Sequence, residues 1–327
     1  MDFTPSEEQR ELAALTRTIL TESADRWKDL AAAGVLSAAL SADLGGAGLG
    51  LLDQCGVLGE LGRAAATEPY LESIVLGASA IAAFGTPAQR AAWAEPASRG
   101  DLVLTVALDA DVTADGSLNG TASAVPSGMA ADVILVPVGS GAVLVSPDDP
   151  GVTVESQNVG GFSCAFVHLD DVRVDADRRL AGLTAGWLRD RAVLGLCALQ
   201  LGVLERALEL TAAYAAERVQ FGRPIGAFQA VRQRIADAYV DVEAVRLTMW
   251  QAAWRLAEGL PCAQELATAK FWAADAGHRV AHTAVHLHGG VGLDVSHPVH
   301  RYFLAAKHYE FALGGATAQL LTLGSLL

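Results

Sequence analysis

Hydrophobic positions fall into three successive stretches along the chain, helical, strand-like and helical again. Over the first hundred residues they recur at helical spacing, which predicts helices at about 51–67, 72–84 and 87–98, divided by Gly45-Gly46-Ala47-Gly48 and by Glu68-Pro69. Thr4-Pro5-Ser6-Glu7 offers an N-cap hydroxyl on Thr4, a proline at the first helical position and an acid three residues after the cap. From Asp101 the apolar runs become short and β-branched: Leu102–Leu108, Val133–Val138, Ala142–Ser146, Val152–Val154 and Phe166–Val174. Asp115-Gly116, Gly139-Ser140-Gly141 and Asp148-Asp149-Pro150-Gly151 punctuate them as turns. No helices interleave, as a parallel nucleotide-binding sheet would require, so a small antiparallel β domain is expected.

Beyond Thr184 the helical period returns and persists. Val231, Ile235, Ala238, Val242, Val245, Met249, Ala252 and Leu256 recur at alternating steps of four and three, a heptad-like seam that predicts a bundle helix. Leu266, Ala269, Ala273, Ala276 and Val280 repeat it on the next helix. The helix expected at 187–216 is apolar almost all round between Ala192 and Leu204, so it is either central to a bundle or covered by another subunit. The expected architecture is α+β: an N-terminal helical domain at 1–100, a middle antiparallel β domain at 101–183 and a C-terminal four-helix bundle at 184–327.

Composition narrows the function classes. With 52% apolar and 18% charged residues, the 327-residue chain has ample material for a core and is not disordered. The formal charge is 23 − 37 = −14 and the basic residues are scattered, so nothing resembles a nucleic-acid-binding stripe. A single arginine beside a glycine turn could still hold a pyrophosphate. The N-terminus lacks the basic and apolar regions of a signal peptide, and the apolar stretch Ala192–Leu204 is too short to span a bilayer and is broken by Gln200. A cytoplasmic protein with no membrane or nucleic-acid partner is expected. Cys55, Cys164, Cys197 and Cys262 form no C-x-x-C pair, and Cys197 reads as a buried free thiol.

Seven of the eight histidines lie between positions 278 and 308. His278, His282 and His286 share one helix face, but without H-E-x-x-H or a nearby cysteine no metal site is expected, and the face reads as polar surface beside a cofactor or subunit boundary. Gly139-Ser140-Gly141 is followed by a strand and so makes no nucleophile elbow. Asp148-Asp149 and Asp170-Asp171 read as solvated loops. Two clusters remain. Glu217 to Gln229 (ERVQFGRPIGAFQ) presents a cation, an aromatic ring and an amide around a turn, and His286-Leu287-His288-Gly289-Gly290-Val291-Gly292 ends a helix in bare backbone. A guanidinium with exposed N–H groups suits a pyrophosphate. Spacing alone leaves two readings open, a nucleotide cofactor site or a pair of ordinary helix-ending turns.

In this order, after helices and sheet, the clusters resemble the acyl-CoA dehydrogenase family, over essentially the whole chain. Thr4-Pro5-Ser6-Glu7-Glu8-Gln9 is similar to the family's opening, Leu44 to Gly50 to its early glycine loop, Arg218-x-x-Phe221-Gly222 with Gln229 to its most specific motif, and His286 to Gly290 to its Q-x-x-G-G turn. The resemblance implies FAD held between two subunits, its ADP half clasped by Arg218, Phe221, Gln229, Gly289 and Gly290, with His286 in place of the usual glutamine.

The departures are equally specific. The family's E-P-x-A-G-S-D loop is replaced by Ala107-Leu108-Asp109-Ala110-Asp111 with a short path to Asp115. Ala124 and Pro126 stand where the family's W-I-T-N strand supplies Trp and Thr to the flavin ring. The family's Y-E-G-T base position falls on Leu313, within Ala312-Leu313-Gly314-Gly315, and by analogy with relatives that carry the base on the first bundle helix Asp190 is the remaining candidate. Together with His297-Pro298-Val299-His300-Arg301-Tyr302-Phe303, this pattern resembles the short chains of actinobacterial α2β2 heterotetramers that act on CoA thioesters of steroid side chains or similar bulky acids.

That resemblance implies a dehydrogenase subunit supplying the ADP clamp and the interface, partnered by a homologous full-featured subunit that supplies the flavin cradle and the base. An electron-transfer flavoprotein or another acceptor would take the electrons. The alternatives are a self-sufficient homomeric dehydrogenase using Asp190, and a non-catalytic acyl-CoA-binding or scaffold paralogue. On the heteromeric reading the apolar Ala192–Leu204 face is expected to lack cover in the isolated chain, which should be colourless or aggregate.

Overall fold

The computed structural model describes residues 5–326. Helix α1 (Glu7–Glu22) is capped by Ser6, whose Oγ accepts from the Gln9 N–H at 3.2 Å while the Ser6 N–H donates to Gln9 Oε1 at 3.0 Å. The reciprocal Ser–Gln box thus places the cap at Ser6 and leaves Pro5 outside the helix; Thr4, the expected cap, lies outside the described residues.

The chain divides into two compact units that cut across the three expected segments. One holds the residues up to Thr21, Cys55–Ala66 and everything from Val193; the other holds Glu22–Gln54 and Thr67–Ala192. In the second unit, α2 (Arg26–Ala32) precedes α3 (Leu51–Ala64), which continues into the first unit. A π-helical segment, Tyr70–Ala78, then runs into α4 (Ser79–Phe84). The short helices α5 (Pro87–Gln89) and α6 (Glu95–Ser98) flank a second π turn. Thr86 and Gln89 form a capping box, and the Gln89 amide also donates to the carbonyls of Asp177 and Arg179 at 2.5 and 3.0 Å.

Two four-stranded sheets follow. One is ordered β1-β4-β5-β8 (Leu104–Val106, Val133–Val138, Gly141–Val145, Arg179–Ala181) and the other β2-β3-β7-β6 (Ala110–Asp115, Ser117–Pro126, Phe162–Val172, Val152–Val159). The pairing is antiparallel except at β1–β4, where Leu104 opposes Val133 in parallel register. After β1 the chain first builds the β2–β3 hairpin in the other sheet and returns as β4 beside β1, so this pair is joined by a crossover rather than a hairpin. Leu118, Ala122, Val125, Ala165 and Val167 from one sheet share a core with Ile134, Val136, Val143 and Val145 from the other. The β2–β3 hairpin went unforeseen because β2 is mostly exposed and β3 buries Leu118, Ala122 and Val125 at uneven spacing across a bulge, leaving the Asp115-Gly116 turn as the main signal. Asp149, expected in a solvated loop, is a staple: its Oδ2 accepts from the Ser146 N–H at 2.7 Å and from Arg178 at 2.5 Å.

The long helix α7 (Ala185–Glu217) enters the first unit at Val193 and is central to it. From Val193 to Leu204 it is buried on every side within this chain, so the expected open face does not exist and aggregation no longer follows from it. Glycines make this closeness feasible: a Cβ added to Gly202 would lie 1.9 Å from the Gly59 carbonyl oxygen, and one on Gly62 would lie 2.1 Å from that of Leu199. Gln200, the polar break, donates to the carbonyls of Ala273 and Ala306 at 3.1 Å each. Both heptad seams are buried where α8 (Gln229–Ala257) and α9 (Ala263–His288) pack, at Ala238, Val242, Val245 and Met249 and at Leu266, Ala269, Ala273, Ala276 and Val280. The fourth helix of the expected bundle arrives as two shorter ones, α10 (Pro298–Phe311) and α11 (Ala316–Ser325), interrupted at Leu313 and Gly314, both at positive φ. Lys270, wholly buried, donates to the Tyr309 and Glu310 carbonyls at 3.0 and 3.1 Å and so caps α10; burial pushes its pKa down.

Candidate cofactor-binding site

Helix α7 ends with the Arg218 N–H donating to the Tyr214 carbonyl at 2.8 Å. The chain then forms a ribbon, β9 (Val219–Gln220) against β10 (Arg223–Pro224), closed by the Ile225 N–H on the Arg218 carbonyl at 2.8 Å. Phe221 and Gly222 form its two-residue turn with φ of 52° and 78°, the left-handed pair a tight hairpin demands. Glycine adopts this conformation freely, whereas a phenylalanine there is strained, and such strain gathers at functional sites. The ring is not buried in compensation, being 92% exposed, and lies T-shaped to Phe228 with ring centroids 6.1 Å apart. Arg223 lies over that Phe228 ring at 4.3 Å, fixing the base of the ribbon. Gln229 opens α8 and is exposed. An open depression of about 320 Å³, lined by Ala212, Ala215, Pro224, Arg232 and Ile235 among others, lies beside the ribbon.

The second cluster ends α9. Gly289 has φ 64°, which requires glycine, but Gly290 does not, and a Cβ on either would meet nothing within 4 Å. Gly290 is thus not explained by packing within the chain, unlike Gly292, whose Cβ would lie 2.8 Å from the Val285 carbonyl. The bare backbone leaves room for a group from outside.

These two turns are brought together. Tyr214, one turn before Arg218, stacks on His288, the last residue of α9, with ring centroids 4.4 Å apart and planes 23° off parallel. His288 Nδ1 is 2.8 Å from the Ala284 carbonyl, which only accepts, so Nδ1 carries the proton. Burial holds the His288 pKa below its usual value, against the pull of that hydrogen bond. The sequence motifs contained both ends of this contact or its immediate neighbourhood, but no one-dimensional signal pairs Tyr214 with His288. Arg218 and His286 are exposed, and among the described residues no carboxylate pairs with Arg218.

The remaining candidates have different local surroundings. Asp190 is half-buried near the start of α7, and burial raises its pKa against the opposing charges of Arg191 and Arg189. It is not held in an ion pair among the described residues; the Arg191 guanidinium instead lies 3.6 Å over the Trp187 ring. Leu313 is half-buried with φ 55°, and Gln319 donates to its carbonyl at 3.2 Å. On β3, Ala124 sits at a bulge with φ 50°, and its N–H is already spent on Gln157 Oε1 at 2.9 Å. His278 contacts Glu310 and Lys307 at 3.2 and 3.0 Å, so part of the histidine face serves the α9–α10 packing. Among the described residues no group of three or more His, Cys, Asp or Glu is placed to hold a metal, and no helix is long and apolar enough to cross a membrane.

The residues fit one half of FAD and not the other. An exposed guanidinium without a carboxylate, a presented aromatic ring and open glycine backbone suit an ADP moiety. At the two positions of β3 that the resemblance sets against a flavin ring, Ala124 and Pro126 bring neither an aromatic ring nor a hydroxyl.

Comparison with known proteins fixes the family. The N-terminal domain of acyl-CoA dehydrogenases matches residues 6–101, and their C-terminal domain matches residues 190–325. The chain belongs to the acyl-CoA dehydrogenase family. As a member of this oxidoreductase family it is 48% identical to acyl-CoA dehydrogenase FadE27 of Mycobacterium tuberculosis, across 99% of this chain and 98% of that protein. Its fold matches the crystal structure of the ChsE4-ChsE5 complex from Mycobacterium tuberculosis with a TM-score of 0.93 and 47% identity, covering 99% of this chain and 98% of that one. It also matches the Tcur3481-Tcur3483 steroid ACAD (G363A variant) with a TM-score of 0.90 and 39% identity, covering 98% and 97%. The helical N-terminal, β-sheet middle and helical C-terminal domains are those of an acyl-CoA dehydrogenase.

Proposed function

We propose that this chain is the clamp-bearing subunit of a heteromeric, FAD-dependent acyl-CoA dehydrogenase that desaturates a bulky, steroid-derived acyl-CoA. The observation that carries the reading is the contrast within one unit: Arg218, Phe221, Gly289 and Gly290 are exposed to solvent, while Leu313, where the resemblance implies the base, is a half-buried apolar residue. The kinship to a protein solved as a two-component complex and to a steroid ACAD supports the partner and the substrate class. In this reading Arg218 grips the pyrophosphate, the Gly289–Gly290 backbone lets it approach, and Phe221 and Gln229 flank the adenosine side. Bound FAD would accept a hydride from the substrate Cβ as a carboxylate removes the α-proton. A homologous full-featured subunit supplies that carboxylate and the ring cradle, and an electron-transfer flavoprotein or similar acceptor follows.

Co-expression with such a subunit tests the division. One FAD per heterodimer is expected, and no flavin on this chain purified alone. A yellow homo-oligomer with one FAD per chain would sink the heteromeric reading.

Asp190, half-buried with a raised pKa, favours a second reading in which this chain supplies its own base. Asp190→Asn separates the two, since it keeps the shape and cannot accept a proton. Turnover within a few-fold of wild type is expected for the complex. A fall of several orders of magnitude with FAD retained would assign the base to Asp190.

A further inference from the structure

We infer that the Tyr214–His288 ring pair is the positioning element of the clamp, setting the turn that bears Arg218 against the turn that bears Gly289 and Gly290. The inference rests on the FAD-clamp reading above. Both members act on the backbone next to them. The Arg218 N–H hangs from the Tyr214 carbonyl at 2.8 Å, so the residue whose ring makes the stack also anchors the arginine's main chain. His288 directly precedes Gly289, where the chain reverses at φ 64° with nothing within 4 Å of either glycine's Cβ position to steady it.

The His288 ring is itself fixed. Its Nδ1–H donates to the Ala284 carbonyl at 2.8 Å, Tyr214 covers one side at 4.4 Å, and His297 stands 5.1 Å away. A ring held by a hydrogen bond and a near-parallel neighbour has little freedom, and the glycine backbone it leads into inherits that constraint. Among the described residues the Tyr214 hydroxyl makes no hydrogen bond, so the ring plane, not the oxygen, does the positioning. Tyr214 and His288 are positioning residues: they order the groups that would touch the ligand.

The test is FAD titration into the apo heteromeric complex, followed by flavin fluorescence, with the thermal midpoint of the apo complex measured alongside. Tyr214→Phe should bind FAD within about twofold of wild type. Tyr214→Leu, which keeps apolar bulk and loses the ring plane, should raise the FAD Kd about tenfold. In an Arg218→Ala background the same Tyr214→Leu change should raise Kd less than threefold, because the group it positions is gone. His288→Phe and His288→Leu repeat the comparison from the other side, should Tyr214→Leu fail to assemble. Equal FAD affinity in Tyr214→Leu and wild type would overturn the inference, and so would a tenfold loss that persists undiminished without Arg218. The clamp reading fails separately, if Arg218→Ala itself leaves FAD binding unchanged.

Discussion

Gly202→Ala is expected to destabilise this chain by about 3 kcal/mol or more, although alanine is the better helix former. The added methyl would sit 1.9 Å from the Gly59 carbonyl oxygen and 2.8 Å from the Arg63 amide nitrogen. Both are backbone atoms, so no rotamer change relieves the clash and α3 and α7 must move apart. Separation would loosen Leu58, Leu61, Leu199 and Val203, all buried, and the pairs from Arg63 to Glu205 and Glu209 at 2.9 and 2.7 Å. Overpacking costs about 1–3 kcal/mol when side chains can yield, and more when they cannot. The opposing gain in helix propensity is only about 1 kcal/mol. Gly62→Ala should behave alike, its methyl meeting the Leu199 carbonyl oxygen at 2.1 Å. Gly56→Ala, in the same helix α3 with open space at its Cβ, should be neutral or stabilising by up to about 1 kcal/mol. Denaturant titration of the three variants decides it; a Gly202→Ala midpoint indistinguishable from wild type would refute the close crossing.

That crossing also shows where sequence reasoning stops. The apolar character of Ala192–Leu204 was plain, but whether this chain or another covers it depends on two glycines in α3 and α7 meeting at backbone distance. A period says which face is greasy and says nothing about how near the neighbour comes. The seams of α8 and α9 were legible because steps of three and four are a local property of each helix. The β2–β3 hairpin was not, since the buried residues of β3, Leu118, Ala122 and Val125, fall at steps of four and three across a bulge rather than in strand alternation.

The site divides the same way. Arg218, Phe221, Gln229, Gly289 and Gly290 were visible as motifs, each within a few residues of its turn. The strain at Phe221, the left-handed backbone at Leu313 and the Tyr214–His288 stack belong to backbone angles and to contacts between helices distant in sequence. What the motifs could not supply is the contrast between the exposed Arg218 ribbon and β3, whose Ala124 amide is already bonded within its own sheet.

Arg218→Ala is expected to raise the FAD Kd of the reconstituted complex about 10- to 150-fold, the equivalent of ~1.5–3 kcal/mol for hydrogen bonds to a charged group. The surroundings make this a clean experiment. Arg218 is exposed and no carboxylate among the described residues leans on it, so its removal strands no buried charge and the apo complex should keep its thermal midpoint. The main-chain links that shape the ribbon, from the Arg218 N–H to Tyr214 and from Ile225 to the Arg218 carbonyl, survive in the alanine variant. Arg218→Lys should restore part of the affinity, since it returns the charge without the planar fork that engages two phosphate oxygens together. Because the pair forms at an accessible site, the deficit of Arg218→Ala should shrink as salt rises, screening having already weakened the wild-type contact. Flavin retained equally by wild type and Arg218→Ala at low salt would reduce the motif to a helix terminus with an ornamental arginine, and the clamp would have to be sought elsewhere on the chain.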